Sequence, residues 1–453
     1  EDGTVQAIAD GAITDGATAI VNADGTVAVI ASTTKTQALG SQVTVRSSSS
    51  DNFGLAFDSN SGKVVVFTKG DAYVGTVDPS DNSISFGDAE EYETGSTTTQ
   101  DSCFDSNSNR IVTAYADTSN SYYGTVVVGS VSGTDITFGT PVVYVSQNVG
   151  NTGIVFDSNV NKVAMYGKYS NQHITIGTVD PSDNSITVGS NITLHAAGQS
   201  SGFCGIAFDS SQNKILFSFQ NDSTNGQARV GTINASGNSI SFGTAVTFES
   251  GRPNHISSAF DSVNNKILTI YQDVGDSNKG KAVVGTISGT NVSFGTPVVF
   301  ANAATNLVTN QGGVCFDEFS KKFVIVYGET SPAATKMILG TISGTTINFD
   351  TAFIPITSAG SSTYAGFSYG SKLVYDSVNA KTVYFWQDGY DGDYGKAVVV
   401  QTAGSSTNIT AENYIGIADA AYATGQKATI KTTGSIARNV PQQSSSADAL
   451  GSA

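Results

Sequence analysis

Seven copies of one motif, many β-branched and aromatic residues, and a last copy that lacks its fourth strand predict an all-β protein. The expected fold is a seven-bladed β-propeller of four-stranded blades. The chain has 453 residues, of which 39% are hydrophobic and 13% charged, with 49 glycines. Val, Ile, Thr, Tyr and Phe favour strands, and Gly, Asn, Asp and Ser favour the tight turns that join them. A repeated unit of about 50 residues with four strands is typical of a propeller blade.

Each copy contains an aromatic residue followed by Asp and, five positions after the Asp, by Lys or Arg. The phrase is FDSNSGK in the first copy and YDSVNAK in the last. We predict that the first strand ends at the aromatic–Asp pair and that the second begins at the basic residue. The Asp side chain can accept hydrogen bonds from the backbone of its own turn, which predicts seven structural turn braces. These are Asp58, Asp105, Asp157, Asp209, Asp261, Asp317 and Asp376.

The second strand is expected to end on an aromatic residue, as at Phe67, Tyr166 or Trp386. This residue comes nine positions after the Asp in the first and third copies and ten positions after it in the others. Because strand faces alternate with a period of two, the first and third copies are expected to need a bulge or an altered turn. A variable loop, a third strand such as 281–287, a tight turn and a fourth strand such as 240–248 complete each copy.

The seventh copy has only three strands, and no phrase like FGTPVVF follows its third strand at 396–401. A matching phrase, ALGSQVTV, lies at 38–45, just before the first copy. We predict that this N-terminal strand completes the last blade and removes an exposed sheet edge. The predicted domains are an N-terminal β arm, the propeller, a C-terminal β arm and a flexible Ser/Ala-rich tail, at 1–37, 38–405, 406–440 and 441–453.

The two arms form a second, weaker repeat. Residues 7–28 align without gaps with residues 416–437, with identities that include Ile8 with Ile417 and Gly25 with Gly434. Each arm has the pattern of a strand pair around a Gly turn. We therefore expect one small β-module, formed by both arms, that anchors the propeller.

The repeat phrase KAVVGTISGTNVSFGTPVVF and the arm phrase NYIGIADAAY resemble propeller-repeat structural proteins of marine tailed bacteriophages. The arm phrase GATAIVNADGTVAVI also resembles small β-modules of phage head-decoration proteins and fibres. The resemblance covers nearly the whole chain. It implies a virion structural protein that is exposed on the particle, contacts other virion proteins through its arms and is present in many copies. It transfers no catalytic residue to this chain.

Composition excludes several classes of function. A net charge of −16 argues against nucleic-acid and anionic-membrane partners, which attract basic proteins. No apolar run approaches the roughly 18 residues of a membrane-spanning helix. The three cysteines have no metal-binding spacing and are expected to be free thiols. The three histidines fall in different copies, and no motif of a nucleophilic or metal-dependent enzyme is present, so we expect no catalytic residue and no enzyme.

The loops between the second and third strands are the most site-like segments, and those of the fifth and seventh copies are acidic. Their Asp, Asn and Gly residues would suit Ca²⁺, the one cofactor that the sequence suggests; ordinary solvated loops are the alternative. A lone Trp beside two tyrosines could stack on a sugar ring, although its position also suits a core residue. The candidate binding residues are Asn221, Asp222, Asp273, Asp276, Asn278, Trp386, Asp388, Tyr390, Asp391 and Asp393.

Three functions follow from this interpretation. The first is a virion surface protein, either a capsid decoration or a tail fibre, whose many copies turn weak contacts with host glycans into useful avidity. The alternative is a secreted, lectin-like carbohydrate-binding propeller. A glycoside hydrolase or lyase is the third. The first two place the chain on the virion surface or outside the cell.

Overall fold

The all-β prediction is confirmed by the computed structural model, in which helical structure is limited, within the described residues, to single 3-10 turns at Thr118–Asn120 and Val274–Asp276. The chain divides into two compact units, one of residues 36–403 and one of the arm residues before 36 and after 403. The described residues are 3–196, 204–221, 225–307, 313–330, 333–356, 371–389, 391–407 and 414–432. No helix of these residues could cross a membrane.

Residues 36–403 form seven antiparallel sheets, one for each copy of the motif, numbered here 1 to 7 in copy order. In each, the first strand pairs with the second and the second with the third, and the third pairs with the fourth. The fourth strand of sheets 1 to 5 is split into two segments. The strands of sheet 1 are Gly54–Asp58, Lys63–Thr68, Asp71–Asp78, Ser83–Phe86 and Glu90–Glu91, and those of sheet 2 are Thr97–Asp105, Arg110–Asp117, Tyr123–Ser132, Asp135–Phe138 and Val142–Asn148. Sheet 3 consists of Asn151–Asp157, Lys162–Lys168, Gln172–Asp180, Ser185–Val188 and Ile192–His195. Sheet 4 consists of Cys204–Asp209, Lys214–Gln220, Gly226–Ile233, Ile240–Phe242 and Val246–Glu249.

Sheets 5 to 7 follow the same order, with two local differences. The first strand of sheet 6 is in two segments, and the fourth strand of sheet 7 comes from the N-terminal part of the chain. Sheet 5 consists of Pro253–Asp261, Lys266–Asp273, Lys279–Ser288, Asn291–Phe294 and Val298–Ala301. Sheet 6 consists of Thr305–Leu307, Val314–Asp317, Lys322–Thr330, Ala333–Ser343 and Thr346–Phe349. Sheet 7 consists of Ser371–Asp376, Lys381–Asp388, Tyr394–Gln401, Ala38–Leu39 and Val43–Ser49.

The Asp at the end of each first strand is buried in all seven copies. In sheet 4, Asp209 Oδ1 accepts hydrogen bonds from the backbone N–H groups of Ser211 and Gln212, at 2.9 and 3.1 Å. The other six carboxylates accept from the same two positions of their own turns. Hydrogen bonds to a charged acceptor contribute about 1.5–3 kcal/mol each, so the Asp holds a four-residue turn in place.

The aromatic residue that ends the second strand points to different faces in different copies. Phe67 and Tyr166 pack toward the following sheet, whereas the five aromatic residues at ten positions after the Asp pack toward the preceding sheet. The expected bulge or altered turn in the first and third copies is wrong, since their first and second strands pair without interruption. A shift of one residue moves a side chain to the opposite face of the strand. Between first and second strands, within the described residues, the register shifts instead in sheets 2 and 5.

Each sheet packs against the next through its own hydrophobic cluster, and sheet 1 also packs against sheet 7. A second contact lies at the split of the fourth strand, where a Gly faces the backbone carbonyl that precedes the fourth strand of the next sheet. A β-carbon on that Gly would come closer than 3.0 Å to the carbonyl oxygen. The six Gly–carbonyl pairs are Gly40–Asn82, Gly87–Thr134, Gly139–Asn184, Gly189–Asn238, Gly243–Thr290 and Gly295–Thr345.

The arms form a five-stranded sheet with a small core of its own. Thr4–Ile8 of the N-terminal arm pairs with Lys427–Lys431 of the C-terminal arm, and Thr18–Val21 pairs with Tyr414–Ala418. The sheet is therefore made of strands from both arms. Val27–Val29 adds the fifth strand, and Ser32–Lys35 pairs separately with Gly404–Thr407.

Equivalent positions of the two arms contact each other. Ile13 and Tyr422 occupy the same position in the alignment of the two arms and exchange two backbone hydrogen bonds of 2.7 Å. The bond from Ala9 N to Gln426 O, at 2.7 Å, has its counterpart from Ala418 N to Ala17 O, at 2.8 Å. The arm module is therefore built from two copies of one motif about a local two-fold axis. The predicted tail at 441–453 and the last part of the predicted C-terminal arm, at 433–440, lie outside the described residues.

Candidate functional site

The acidic loop of sheet 5 is organised around a lysine from the third strand. Asp273 caps a 3-10 turn, with its Oδ1 accepting from the N–H groups of Gly275 and Asp276 at 2.9 and 3.2 Å. Lys281 Nζ lies 2.6 Å from Asp273 Oδ2 and 3.2 Å from Asp276 Oδ2. The same ammonium is 3.9 Å from Glu249, which ends the fourth strand of sheet 4. The loop is thus a network of ion pairs at the boundary of sheets 4 and 5.

The loop of sheet 7 repeats this arrangement. Lys396 Nζ lies 2.8 Å from Asp388 Oδ2 and 2.7 Å from Asp391 Oδ2. Asp388 is buried, whereas the side chain of Asp391 is 54% exposed. In sheet 6, Lys336 pairs with Glu329 at 2.7 Å. All of these clusters lie at the same end of their sheets, where the second strand leads into the third.

Strand register explains why a lysine reaches these carboxylates. Lys281, Lys336 and Lys396 lie opposite Tyr271, Tyr327 and Trp386, the aromatic residues that end the second strands. Partial burial alone would lower the pKa of Lys281, but the hydrogen bonds that its ammonium donates to Asp273 and Asp276 outweigh the burial and raise that pKa above its usual value. Lys396 has a raised pKa for the same reasons. Both lysines therefore stay charged at neutral pH.

The structure places a fixed positive charge where the sequence suggested Ca²⁺. Within the described ranges, no group of three His, Cys, Asp or Glu side chains has the geometry to hold a metal ion. A Ca²⁺ ion in the loop of sheet 5 or sheet 7 would compete with Lys281 or Lys396 for the same carboxylates. In both loops a lysine ammonium thus already occupies the cation position beside the carboxylates.

Trp386 does not belong to the binding surface. It is 1% exposed and stacks on Tyr384 at a centroid distance of 5.1 Å, in the core between sheets 6 and 7. Of the two roles that the sequence allowed for Trp386, sugar stacking and a place in the core, the structure shows the second, because the second strand points this position into the core. Tyr390 and Asp222 lie outside the described residues.

The remaining predicted residues shape the loops through their backbone or through local bonds. Asn278 and Asp393 have left-handed φ angles of 61° and 59°. Their carbonyl groups accept from Thr305 N and Ser50 N, respectively, both at 2.8 Å. Asn221 Oδ1 accepts from Asn225 N at 2.8 Å. These contacts fix loop shape and do not by themselves form a ligand site.

Sequence reasoning missed Lys281 and Lys396, although both stand directly after the predicted loops, and it missed Glu249, which lies in the fourth strand of the preceding sheet. It also left out Tyr169 and His173 of sheet 3, whose rings stack at 4.3 Å with an interplanar angle of 1°. Burial lowers the pKa of His173, so this ring is neutral at neutral pH. The pair lies at the same end of the sheets as the lysine clusters, with His173 buried and Tyr169 partly exposed.

No protein-family model and no curated protein matches the chain. Among solved structures, the BP39L lectin from Burkholderia pseudomallei is similar, with a TM-score of 0.56 and 11% identity over 80% of this chain and 99% of the lectin chain. A chain of a Mitotic Checkpoint Complex is also similar, with a TM-score of 0.52 and 12% identity over 81% of this chain and 95% of that one. Identities this low show a shared fold alone. Together with the repeated antiparallel sheets, they support a β-propeller fold.

Proposed function

We propose that residues 36–403 form a closed propeller of seven blades, sealed where the N-terminal strands join sheet 7. Ala38–Leu39 and Val43–Ser49 pair with the third strand of that sheet. Gly40 then meets the carbonyl of Asn82 in sheet 1, as five other glycines meet the next sheet along the chain. Sheets 7 and 1 also share a hydrophobic cluster. A closed propeller supplies a rigid base for the loops between second and third strands.

We further propose that the protein is a non-enzymatic, lectin-like module that binds carbohydrate on these loops. The observation that carries this proposal is the repeated cluster in which a lysine holds partly exposed carboxylates beside an ordered loop. Asp276 and Asp391 have 39% and 54% of their side chains exposed, so their oxygens can accept hydrogen bonds from sugar hydroxyls. Their fixed geometry lowers the ordering cost of binding. The fold shared with the BP39L lectin supports the same function.

The substitution Asp391→Asn is expected to weaken glycan binding about 10-fold or more, because a charged hydrogen-bond acceptor that contributes 1.5–3 kcal/mol becomes a neutral amide. A glycan array identifies the ligand, and isothermal titration of that ligand measures the loss. The matched control is Asp350→Asn, which removes an exposed ion pair with Lys322 at the opposite end of a sheet. Equal affinity of all three proteins, or an array without a single bound glycan, would contradict the proposal.

A virion surface role is the second candidate, favoured by the arm module. Its two-fold arrangement of arm strands gives the chain a second compact unit that the carbohydrate proposal does not use. On this hypothesis the arms bind other virion proteins and the propeller is displayed outside the particle. Electron micrographs of purified phage particles, labelled with an antibody against the chain, should show label on the particle surface. If the antibody detects the chain only in the soluble fraction and not on particles, the virion surface role is excluded.

A further inference from the structure

Sheets 2 and 5 share a local structure that is found in no other sheet among the described residues. Each has a bulge in its first strand and an Asp that caps a 3-10 turn after its second strand. In each, the tyrosine that ends the second strand donates to a Glu from the preceding sheet, at 3.2 Å in sheet 2 and 2.9 Å in sheet 5. The equivalent Glu, Tyr and Asp residues are Glu93, Tyr115 and Asp117 in sheet 2, and Glu249, Tyr271 and Asp273 in sheet 5.

The two sheets differ at the position opposite the tyrosine. In sheet 5 this position is Lys281, whose ammonium lies between Asp273 and Glu249. In sheet 2 it is Thr125, whose hydroxyl donates to the carbonyl of Tyr123 at 3.3 Å. Sheet 2 therefore keeps two of the three carboxylates that surround Lys281, with Asn120 in place of Asp276, but it lacks the residue that neutralises them.

The carboxylates of sheet 2 have no ion-pair partner within the part of the chain that the structure describes. Asp117 is 7% exposed, and its three hydrogen bonds, from Ser119 N, Asn120 N and Ser119 Oγ, all go to Oδ1. Oδ2 is the oxygen that binds the lysine in the equivalent Asp273. A buried carboxylate without a cation is costly, so a ligand that brings a positive charge would be stabilised here.

We propose that Glu93 and Asp117 bind the ammonium group of an amino sugar, in the position that Lys281 Nζ occupies in sheet 5. A primary ammonium has three donors, which suit Asp117 Oδ2 and Glu93 Oε2. Tyr122 belongs to the same loop: its backbone N–H donates to Asp117 O at 2.7 Å, and the residue is 44% exposed. On this proposal the sugar ring stacks on its aromatic side chain. This inference rests on the proposed carbohydrate function and names its ligand class.

Isothermal titration of the full chain with glucosamine, N-acetylglucosamine and methylamine tests the proposal. Glucosamine should bind with one site per chain, and N-acetylglucosamine, whose nitrogen is uncharged, should bind this site at least about 10-fold more weakly, since a charge-assisted hydrogen bond is lost. Methylamine should also bind more weakly than glucosamine, because it lacks the ring that stacks on Tyr122. If glucosamine and N-acetylglucosamine bind with equal affinity, the site does not recognise an ammonium group. If methylamine binds as tightly as glucosamine, the sugar ring contributes nothing and the ligand class is wrong.

Two reciprocal variants locate the site. Thr125→Lys supplies the ammonium found in sheet 5, so it should fold and lose glucosamine binding about 10- to 100-fold. Lys281→Thr should open a second ammonium site in sheet 5, where Asn278 stands in place of Tyr122, and so double the stoichiometry of methylamine binding. This variant keeps the test valid if Thr125→Lys does not fold. Unchanged binding in both variants would refute the assignment. Glycan binding that is sensitive to Asp391→Asn but not to Thr125→Lys would leave the carbohydrate function intact and reject this site alone.

Discussion

Replacing Lys372 by Met is expected to lower the free energy of unfolding by about 3–5 kcal/mol, the cost of leaving a buried charge without its partner. Lys372 lies in the first strand of sheet 7 and pairs with Asp101 in the first strand of sheet 2, and both residues are buried. The second oxygen of Asp101 accepts from Ile154 N of sheet 3 at 3.0 Å. One carboxylate therefore joins the consecutive sheets 2 and 3 to sheet 7, whose lysine lies 271 residues further along the chain.

The pH dependence of this variant has a definite sign. Burial raises the pKa of Asp101, and Lys372 acts in the opposite direction. Without Lys372 the folded-state pKa lies still further above the unfolded value of about 3.9, so the charged carboxylate costs stability at neutral pH. As the pH falls through the folded-state pKa the carboxylate is protonated, and the deficit of Lys372→Met should shrink.

Chemical denaturation of both proteins at pH 7 and pH 5 measures the effect. Asp350→Asn is the control, since its partner Lys322 is exposed enough for the pair to contribute only about 0–1 kcal/mol. A loss in Lys372→Met no larger than in the control, or a deficit that grows as the pH falls, would show that the buried pair does not join the sheets as described.

Adding one methyl group at Gly243 is expected to destabilise the propeller by at least about 1–3 kcal/mol, the usual cost of overpacking. The new β-carbon of Gly243→Ala would meet the carbonyl oxygen of Thr290 in the next sheet. Gly243 N also donates to Val230 O at 2.9 Å, which holds this backbone against the third strand. Backbone on both sides leaves no flexible side chain to move, so the two sheets must separate or bend.

The matched control for this variant is Gly150→Ala. A β-carbon at Gly150 would have its nearest neighbour, the carbonyl oxygen of Lys168, at 4.0 Å. Thermal unfolding followed by circular dichroism should show a lower midpoint for Gly243→Ala and little change for Gly150→Ala. Similar midpoints for the two variants would mean that the Gly–carbonyl contacts tolerate a side chain and do not set the spacing of the sheets.

The repeat made the all-β class and the strand order predictable, because turn residues and hydrophobic runs recur at fixed positions in every copy. The same repeat misled at single residues. Trp386 looked available for stacking because it stands next to an acidic loop, yet the alternation of the strand turns it inward. Phe67 and Tyr166 looked like irregularities in the backbone, whereas each simply occupies the opposite face of its strand.

The candidate site was less predictable, because it depends on which strands pair. In the sequence, Asp273 and Asp276 look like free carboxylates that suit Ca²⁺, and only the register of the third strand shows that Lys281 neutralises them. The sequence also could not show why the FGT phrase needs its Gly, because the backbone carbonyl that this Gly faces belongs to the next sheet. Local sequence patterns thus identified the copies of the motif, whereas the charge environment of each loop depends on strand pairing and on contacts between sheets that only the structure shows.

Closure of the propeller by the N-terminal strands is tested most directly by the thermal midpoint of Gly40→Ala. Gly40 faces the carbonyl of Asn82 between sheets 7 and 1, as Gly243 faces that of Thr290 between sheets 4 and 5. If the propeller is sealed there, Gly40→Ala should lower the midpoint as much as Gly243→Ala does. A midpoint equal to that of Gly150→Ala would show that sheets 7 and 1 are not joined at this point and would contradict a closed ring.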